Sequence, residues 1–287
     1  MRSMNRDCKM CDQKRNKVFL LCFVFILSVL GLGFLSPLLG GEPSNPGPGF
    51  VLWGTAPLLV AIIIRIVTKD WSDSGIKLNL RKSAVWYIVA IFAFPVMTLL
   101  SFLISGWASV STFSGFSMSE FMSAFLPALP MFFIFAVFEE FGWRGYLVPK
   151  LASTGMNTVL MNAIVAVVWA AWHLPYFREL SWVYSSEDLW TFIPRFFLAM
   201  FSFAMVYNEI RLISKSIWPA VIMHCLMNSF GHPLSADFLH IVPGKEYLAS
   251  STGIIMIVLS ALLGIGLYFW RIKRESPKAR LTTETNI

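Results

Sequence analysis

Three short groups of polar residues interrupt otherwise apolar stretches of the chain, and their side chains are of types that take part in catalysis. The groups lie in FAVFEEFGWRGYL, WAAWHLPYF and WPAVIMHCLMNSF. The candidate site residues are Glu139, Glu140, Arg144, His173, His224 and Asn228. A charged side chain at the centre of a bilayer costs about 2.5 kcal/mol or more, so residues of this kind indicate a function.

The first group combines two adjacent carboxylates with a guanidinium. If the segment is helical, Glu140 and Arg144 are four residues apart and share a face, which favours an ion pair. Glu139 then points about 100° away, toward a neighbouring helix. Its carboxylate could serve as a general base in a pocket of low dielectric. The alternative is a purely structural ion pair at a helix end.

The other two groups carry histidines. His173 follows Trp169 by four residues near the end of an apolar segment, where an aromatic belt at the membrane interface is the alternative to a catalytic role. His224 and Asn228 are also four residues apart and face one side of their helix. Both can donate hydrogen bonds, either to a developing oxyanion or to a neighbouring helix.

Glutamate, histidine and asparagine side chains on three helices could converge on one pocket within the membrane. In one hypothesis, a glutamate and a histidine activate water against a peptide carbonyl. In the other, Glu139, His173 and His224 hold a metal such as zinc, which lowers the pKa of bound water. The chain has no H-E-x-x-H motif, so a zincin helix is excluded.

Long apolar segments must position these residues. Of the 287 residues, 56% are hydrophobic and only 14% are charged, against about 25% charged in soluble domains. The composition predicts an all-α polytopic transmembrane helix bundle of about eight spans, because the runs are too long and too uniformly apolar for barrel strands. The predicted spans are roughly 18–36, 51–67, 84–105, 121–147, 157–174, 190–207, 217–232 and 252–270.

The fourth run is too long for a simple span. Pro127 and Pro130 predict that its helix begins after them, since proline is tolerated in a first helical turn. That start would place Glu139 and Glu140 near the middle of the span.

Basic residues cluster in alternate connections: the N-terminal tail, the loops at 68–83, 148–156 and 208–216, and the C-terminal tail. By the positive-inside rule, both termini are cytoplasmic, and the net charge of +7 needs no nucleic-acid partner. Arg65 and Arg195 lie near span ends, which predicts snorkelling to the interface. No organelle-targeting signal is visible, and the pattern suits the cell membrane of a prokaryote.

The cysteines indicate no disulfide framework, because none of them lies in a predicted outer loop. Cys8 and Cys11 form a C-x-x-C in the basic N-terminal tail. Zinc sites normally need a second pair or nearby histidines, so this spacing is interpreted as incidental.

In order and spacing, the three motifs resemble those of the CPBP family of intramembrane proteases, which includes type II CAAX prenyl endopeptidases and bacterial relatives linked to bacteriocin immunity. The matching segments are Glu139–Arg144, Trp169–His173 and His224–Asn228. The second motif usually opens with Phe, and Trp169 takes that place here. The resemblance covers roughly residues 130–230 and implies a helical domain of eight spans.

The resemblance also implies roles for these residues. Glu139 would activate water together with His173, His224 and Asn228 would form the oxyanion hole, and Glu140 with Arg144 would support Glu139. A metal-free glutamate mechanism is favoured, since it gives every residue a role, and zinc is the alternative. The implied organisation is a region without motifs at 1–120, catalytic core helices at 121–232, and a last span with a basic cytoplasmic tail at 233–287.

The resulting hypothesis is an intramembrane endopeptidase that cleaves a peptide or lipidated peptide at the membrane, among membrane lipids. One alternative is a non-catalytic immunity or scaffold protein that binds a partner through the same helices. Another is an ion- or proton-coupled transporter, which often carries inverted repeats; none is visible in this sequence.

Overall fold

Long apolar helices make up most of the chain. The structure, a computed structural model, describes residues 2–177 and 187–275, with side chains from residue 12 onward. Cys8, Cys11 and the basic tail beyond residue 275 therefore lie outside the residues whose side chains are described. The α-helices are α1 (Arg2–Leu35), α2 (Pro48–Thr68), α3 (Leu80–Trp107), α4 (Met118–Gly142), α5 (Val148–Ser153), α6 (Thr158–His173), α7 (Leu189–Ser214), α8 (Trp218–Asp237), α9 (Glu246–Ala249) and α10 (Ile254–Glu275).

Seven helical segments of the described chain are long and apolar enough to cross a membrane. They are Asp12–Leu39, Pro48–Thr68, Leu80–Trp107, Met118–Ser153, Thr158–Tyr176, Leu189–Ser214 and Glu246–Glu275. The remaining predicted span, 217–232, forms helix α8, whose histidines and asparagine lower its mean hydropathy. The prediction of a helical, polytopic integral membrane protein is confirmed.

Local capping explains where two of these helices begin. The side chain of Asn157 accepts hydrogen bonds from the amides of Val159 (2.8 Å) and Leu160 (3.3 Å) and so caps α6. Asp188 caps α7 in the same way, accepting from Trp190 at 2.9 Å. At its other end α6 gives way to a short 3₁₀ turn, Leu174–Tyr176, with a proline in its first turn.

The predicted start of the fourth span was wrong. Helix α4 begins at Met118, and both Pro127 and Pro130 lie inside it. Each proline removes one backbone donor, but the flanking residues stay helical because backbone groups in hydrocarbon must be hydrogen-bonded within the chain. With the turns after it, α4 forms a continuous helical segment of 36 residues, Met118–Ser153.

The chain divides into two compact units, each discontinuous in sequence. The first comprises Met1–Ile76 and Val137–Leu180, and the second comprises Lys77–Ala136 and Ser181–Ile287. Helix α4 contributes its first part to the second unit and its last six residues to the first. The division at residues 120 and 232, drawn from the motifs, stays a prediction.

In the second unit, α7 and α10 are joined by buried polar contacts. The hydroxyl of Ser260 donates to that of Ser202 at 2.8 Å. At the far end, Nε of Arg271 donates to the fully buried carboxylate of Glu209 at 2.6 Å. Because an unsatisfied polar group is costly in hydrocarbon, these pairs fix the register of the two helices.

The second unit also holds a short antiparallel pairing between β1 (Ser111–Phe113) and β2 (Leu239–Ile241). Ser111 lies opposite Ile241 in the register. This pairing is the small departure from an all-α chain within the described residues. It adjoins a cluster of buried apolar side chains: Phe102, Phe121, Leu234, Phe238 and Leu239.

The snorkelling predicted for Arg195 was also wrong. Its side chain is buried, and Nη1 donates to Glu187 at 2.6 Å while Nη2 bonds the other oxygen of the same carboxylate. Nε donates to the carbonyl of Thr252 at 3.3 Å. A bidentate partner thus neutralises Arg195 within the protein.

Candidate active site

A π-helical turn comes directly after the helix that carries the two adjacent glutamates. Residues Trp143–Leu147 form this turn, and all five are buried. The amide of Val148 donates to the carbonyl of Trp143, five residues back, instead of the usual four. Such single-turn π-bulges shift the side chains after them and occur often at functional sites. Arg144 is the second residue of the turn.

The ion pair predicted from the spacing of Glu140 and Arg144 is present. Nη1 of Arg144 donates to Oε1 of Glu140 at 3.1 Å, and both side chains are completely buried. A buried pair of this kind neutralises both charges, and removing either partner alone is strongly destabilising. The carboxylate of Glu140 is therefore held in an ion pair with the guanidinium of Arg144.

Glu139 has a different environment. Its carboxylate points to α6, as the helical geometry predicts, where Nε1 of Trp169 donates to Oε2 at 2.8 Å. The same indole lies against the guanidinium of Arg144, with Cζ 4.4 Å from the ring centroid. Glu139 is buried but retains 6% exposure, whereas Glu140 has none.

His173 ends helix α6 and belongs to the same unit. Its Nδ1 lies 2.8 Å from the carbonyl oxygen of Trp169. A carbonyl can only accept, so Nδ1 carries the proton, and in the neutral ring the basic atom is Nε2. That nitrogen is the atom that could take a proton from water or bind a metal.

Buried tryptophans pack around His173. The ring of Trp172 meets the imidazole edge to face at 4.9 Å. Trp53 of α2 stacks on Trp172 at 4.1 Å, and its Nε1 donates to the carbonyl of Trp172 at 2.7 Å. These apolar faces lower the local dielectric, which strengthens the electrostatic interactions of the site.

Arg65 supports the π turn from α2, contrary to the snorkelling predicted for it. Its side chain is fully buried, and Nη2 donates both to the carbonyl of Gly145 and to Asp73 Oδ1, the latter at 2.9 Å. Nη1 donates to the carbonyl of Asp70 at 2.5 Å. The guanidinium of Arg65 thus donates to the carbonyl of Gly145, the residue directly after Arg144.

The loop after α2 is held in place by a second cation. Lys150 Nζ bonds Asp70 at 2.6 Å and Asp73 at 2.9 Å. The hydrogen bond from Lys150 is the main cause that lowers the pKa of Asp70 to about 2. Arg65, Lys150 and the two aspartates therefore form a network, called here the Arg65 network, behind the π turn.

Close backbone packing explains the glycine of the first motif. A Cβ added to Gly142 would lie 2.5 Å from the Cβ of Pro57 in α2 and 2.9 Å from its carbonyl atoms. Only glycine fits this approach of α4 to α2. Gly142 therefore permits the contact that aligns the π turn with α2.

His224 and Asn228 lie in the second unit, on helix α8. His224 is buried, and its ring meets that of Tyr207 edge to face at 5.8 Å. Asn228 is half-buried one turn further on, so both residues share a face, as their spacing predicts.

The structure thus brings Glu139, Glu140, Arg144 and His173 together in the first unit, while His224 and Asn228 belong to the second. Sequence reasoning missed the indole donor, the Arg65 network and the role of Gly142. One signal was available: tryptophan instead of the usual phenylalanine at position 169.

The fold and site define the class of this protein, a polytopic helical membrane protein with two buried glutamates on α4 and a buried histidine at the end of α6. Residues 120–230 match the family of type II CAAX prenyl endopeptidase Rce1-like proteins. Over these residues the chain is similar to the type II CAAX prenyl endopeptidases, which confirms the resemblance that the motifs predict.

A curated relative agrees with the family match. The chain is 29% identical, over 192 residues, to CAAX prenyl protease 2 of Methanococcus maripaludis. The similar region covers 65% of this chain and 66% of the archaeal protein. This region of 192 residues is longer than the stretch 120–230 that matches the family.

Proposed function

We propose that this protein is an intramembrane endopeptidase that uses Glu139 as its general base. The observation that carries the proposal is the contrast between two adjacent carboxylates. Glu140 is fully buried in an ion pair with Arg144, whereas Glu139 accepts from the indole of Trp169 and retains slight exposure. A general base must be within reach of water, and the partly exposed Glu139 meets that need better than the fully buried Glu140.

The proposed reaction is hydrolysis of a peptide bond. Glu139 would take a proton from a water molecule that also donates to Nε2 of His173, as the water oxygen attacks the peptide carbonyl. His224 and Asn228 would donate to the oxyanion that forms. The proton would then pass to the leaving amine. Assignment of His224 and Asn228 to this step rests on the family motifs.

Zinc is the alternative to a metal-free mechanism. Glu139, His173 and His224 would be its ligands, through carboxylate oxygen and imidazole nitrogen. The Nδ1–H of His173 bonded to a backbone carbonyl is the arrangement that also orients a metal-binding histidine. Within each unit, no three His, Cys, Asp or Glu side chains of the described residues group as metal ligands.

The proposed substrate is a peptide at the membrane, with a prenylated C-terminal CAAX peptide as the first candidate because the archaeal relative is named a CAAX prenyl protease. We further propose a prokaryotic cell membrane as its location, with both termini in the cytoplasm, from the charge pattern of the loops.

The test is cleavage of a farnesylated CAAX peptide by the purified protein in lipid vesicles. Glu139→Gln keeps the side-chain shape and removes the base, so kcat is expected to fall by about 10²–10⁴-fold. Glu120→Gln is the matched control, since Glu120 is an exposed glutamate on the same helix. Equal cleavage by wild type and Glu139→Gln would refute the mechanism.

Two further arms separate the alternatives. Activity that survives a strong chelator excludes zinc, and activity that is lost and then restored by Zn²⁺ excludes the metal-free version. The same peptide without its prenyl group tests the substrate class. A peptide that binds to the wild type and stays intact would favour a scaffold or immunity protein.

A further inference from the structure

Trp169 contacts the site residues of the first unit through three different groups of atoms. Its indole Nε1 donates to Glu139 at 2.8 Å. Its ring face lies against the guanidinium of Arg144 at 4.4 Å. Its main-chain carbonyl accepts from Nδ1 of His173 at 2.8 Å. The side chain itself is almost completely buried.

Each contact has a separate consequence. The indole N–H bonds Oε2 of Glu139, which restrains the orientation of the carboxylate. The ring face attracts the guanidinium of Arg144 and holds it beside Glu140. The carbonyl sets the tautomer of His173.

The indole N–H is the contact that a single substitution can remove alone. Phenylalanine offers a ring face and the same main-chain carbonyl but no N–H donor. Replacement of Trp169 by phenylalanine therefore removes one of the three contacts and keeps the other two.

We propose that Trp169 is a positioning residue of the hydrolytic site, whose indole N–H holds the carboxylate of Glu139 in its reactive orientation. This inference rests on the proposed function. It assigns Trp169 no contact with substrate and no proton transfer of its own. Its effect passes through Glu139 and should therefore appear in the chemical step and not in substrate binding.

The kinetic test compares Trp169→Phe with wild type in the cleavage assay. Loss of one hydrogen bond to a charged group predicts a fall in kcat of about 10–100-fold, with KM unchanged. Benzothienylalanine at position 169 keeps the bicyclic ring and lacks only the N–H, so it should lose the same factor. Trp190→Phe is the matched control, because Trp190 is 90% exposed.

A spectroscopic test measures the contact without catalysis. Protein labelled with 5-fluorotryptophan gives a ¹⁹F resonance for Trp169 that is assigned by its loss in Trp169→Phe. That resonance should shift in Glu139→Gln, while the resonance of Trp190 stays in place. The unchanged remaining resonances show that each variant is folded.

The outcomes separate this inference from the proposed function. If wild type cleaves, Glu139→Gln is inactive and Trp169→Phe matches wild type, the positioning role is refuted and the proposed function stands. A Trp169 resonance that does not respond to Glu139→Gln also refutes it. If benzothienylalanine restores full activity, ring volume and not the N–H matters. If wild type does not cleave, the proposed function fails and the positioning role fails with it.

Discussion

Because Arg65 of α2 joins several groups of the Arg65 network, its replacement should lower the stability of the first unit. We expect Arg65→Met to destabilise the protein strongly, because methionine retains an apolar stem but none of the guanidinium donors. The variant removes the hydrogen bonds to the carbonyls of Gly145 and Asp70 and the ion pair with Asp73. Arg65 is fully buried, so water cannot replace these bonds.

The magnitude can be worked out from these contacts. Removal of one partner of a buried, hydrogen-bonded ion pair costs about 3–5 kcal/mol of unfolding free energy. The loss should not exceed that range, since Asp73 keeps its contact with Lys150 at 2.9 Å. Arg65→Lys retains the charge but cannot reproduce the planar fork, so an intermediate loss of about 1–3 kcal/mol is expected.

The assay is reversible unfolding in mixed micelles with increasing SDS, monitored by tryptophan fluorescence and far-UV circular dichroism. Arg81→Met is the matched control, because Arg81 is an exposed arginine at the start of α3. If Arg65→Met lost no more stability than Arg81→Met, the network would not be the structure that holds the π turn. The cleavage activity of Arg65→Lys is a second measurement, because Arg65 bonds the carbonyl of Gly145, the residue next to Arg144.

Three further predictions use the same unfolding assay. Gly142→Ala places a methyl group against α2 and should cost about 1–3 kcal/mol through overpacking, and a neutral result would contradict the close contact. The lowered pKa of Asp70 contributes stability that is complete above pH ~4 and is lost as the pH falls toward about 2; Lys150→Met should reduce this acid-dependent loss, because the hydrogen bonds from Ser72 remain. Arg271→Met leaves the buried carboxylate of Glu209 without its arginine and should cost about 3–5 kcal/mol, and Glu209→Gln in the same background should recover part of that loss.

The features that the sequence predicted correctly depend on residues close together in the chain. The four-residue spacing of Glu140 and Arg144 on a helix predicted their ion pair, and the same helical geometry predicted that Glu139 points toward another helix. The end of α6 at His173 was indicated by the end of the apolar run at about residue 174. Runs of about 20 apolar residues located the membrane spans because a bilayer requires that length.

The missed features depend on residues far apart in sequence. Arg65 lies near the end of α2, where snorkelling is the usual outcome, and only the fold brings the carbonyl of Gly145 to it, 80 residues away. The π turn has no sequence signature in residue propensity, and prolines that normally start a helix lie inside α4. Such tertiary contacts override local preference, and no single-sequence pattern encodes them.

Two carboxylates that are neighbours in sequence acquire different chemistry because they face different partners. Arg144 neutralises Glu140 on its own face of the helix, so the guanidinium charge is already matched when Glu139 meets α6. There Nε1 of Trp169 donates to one oxygen of the second carboxylate. A structural ion pair with Arg144 would need only one of the two glutamates. The use that we propose for the second is proton abstraction from water, because Glu139 retains slight exposure whereas Glu140 has none.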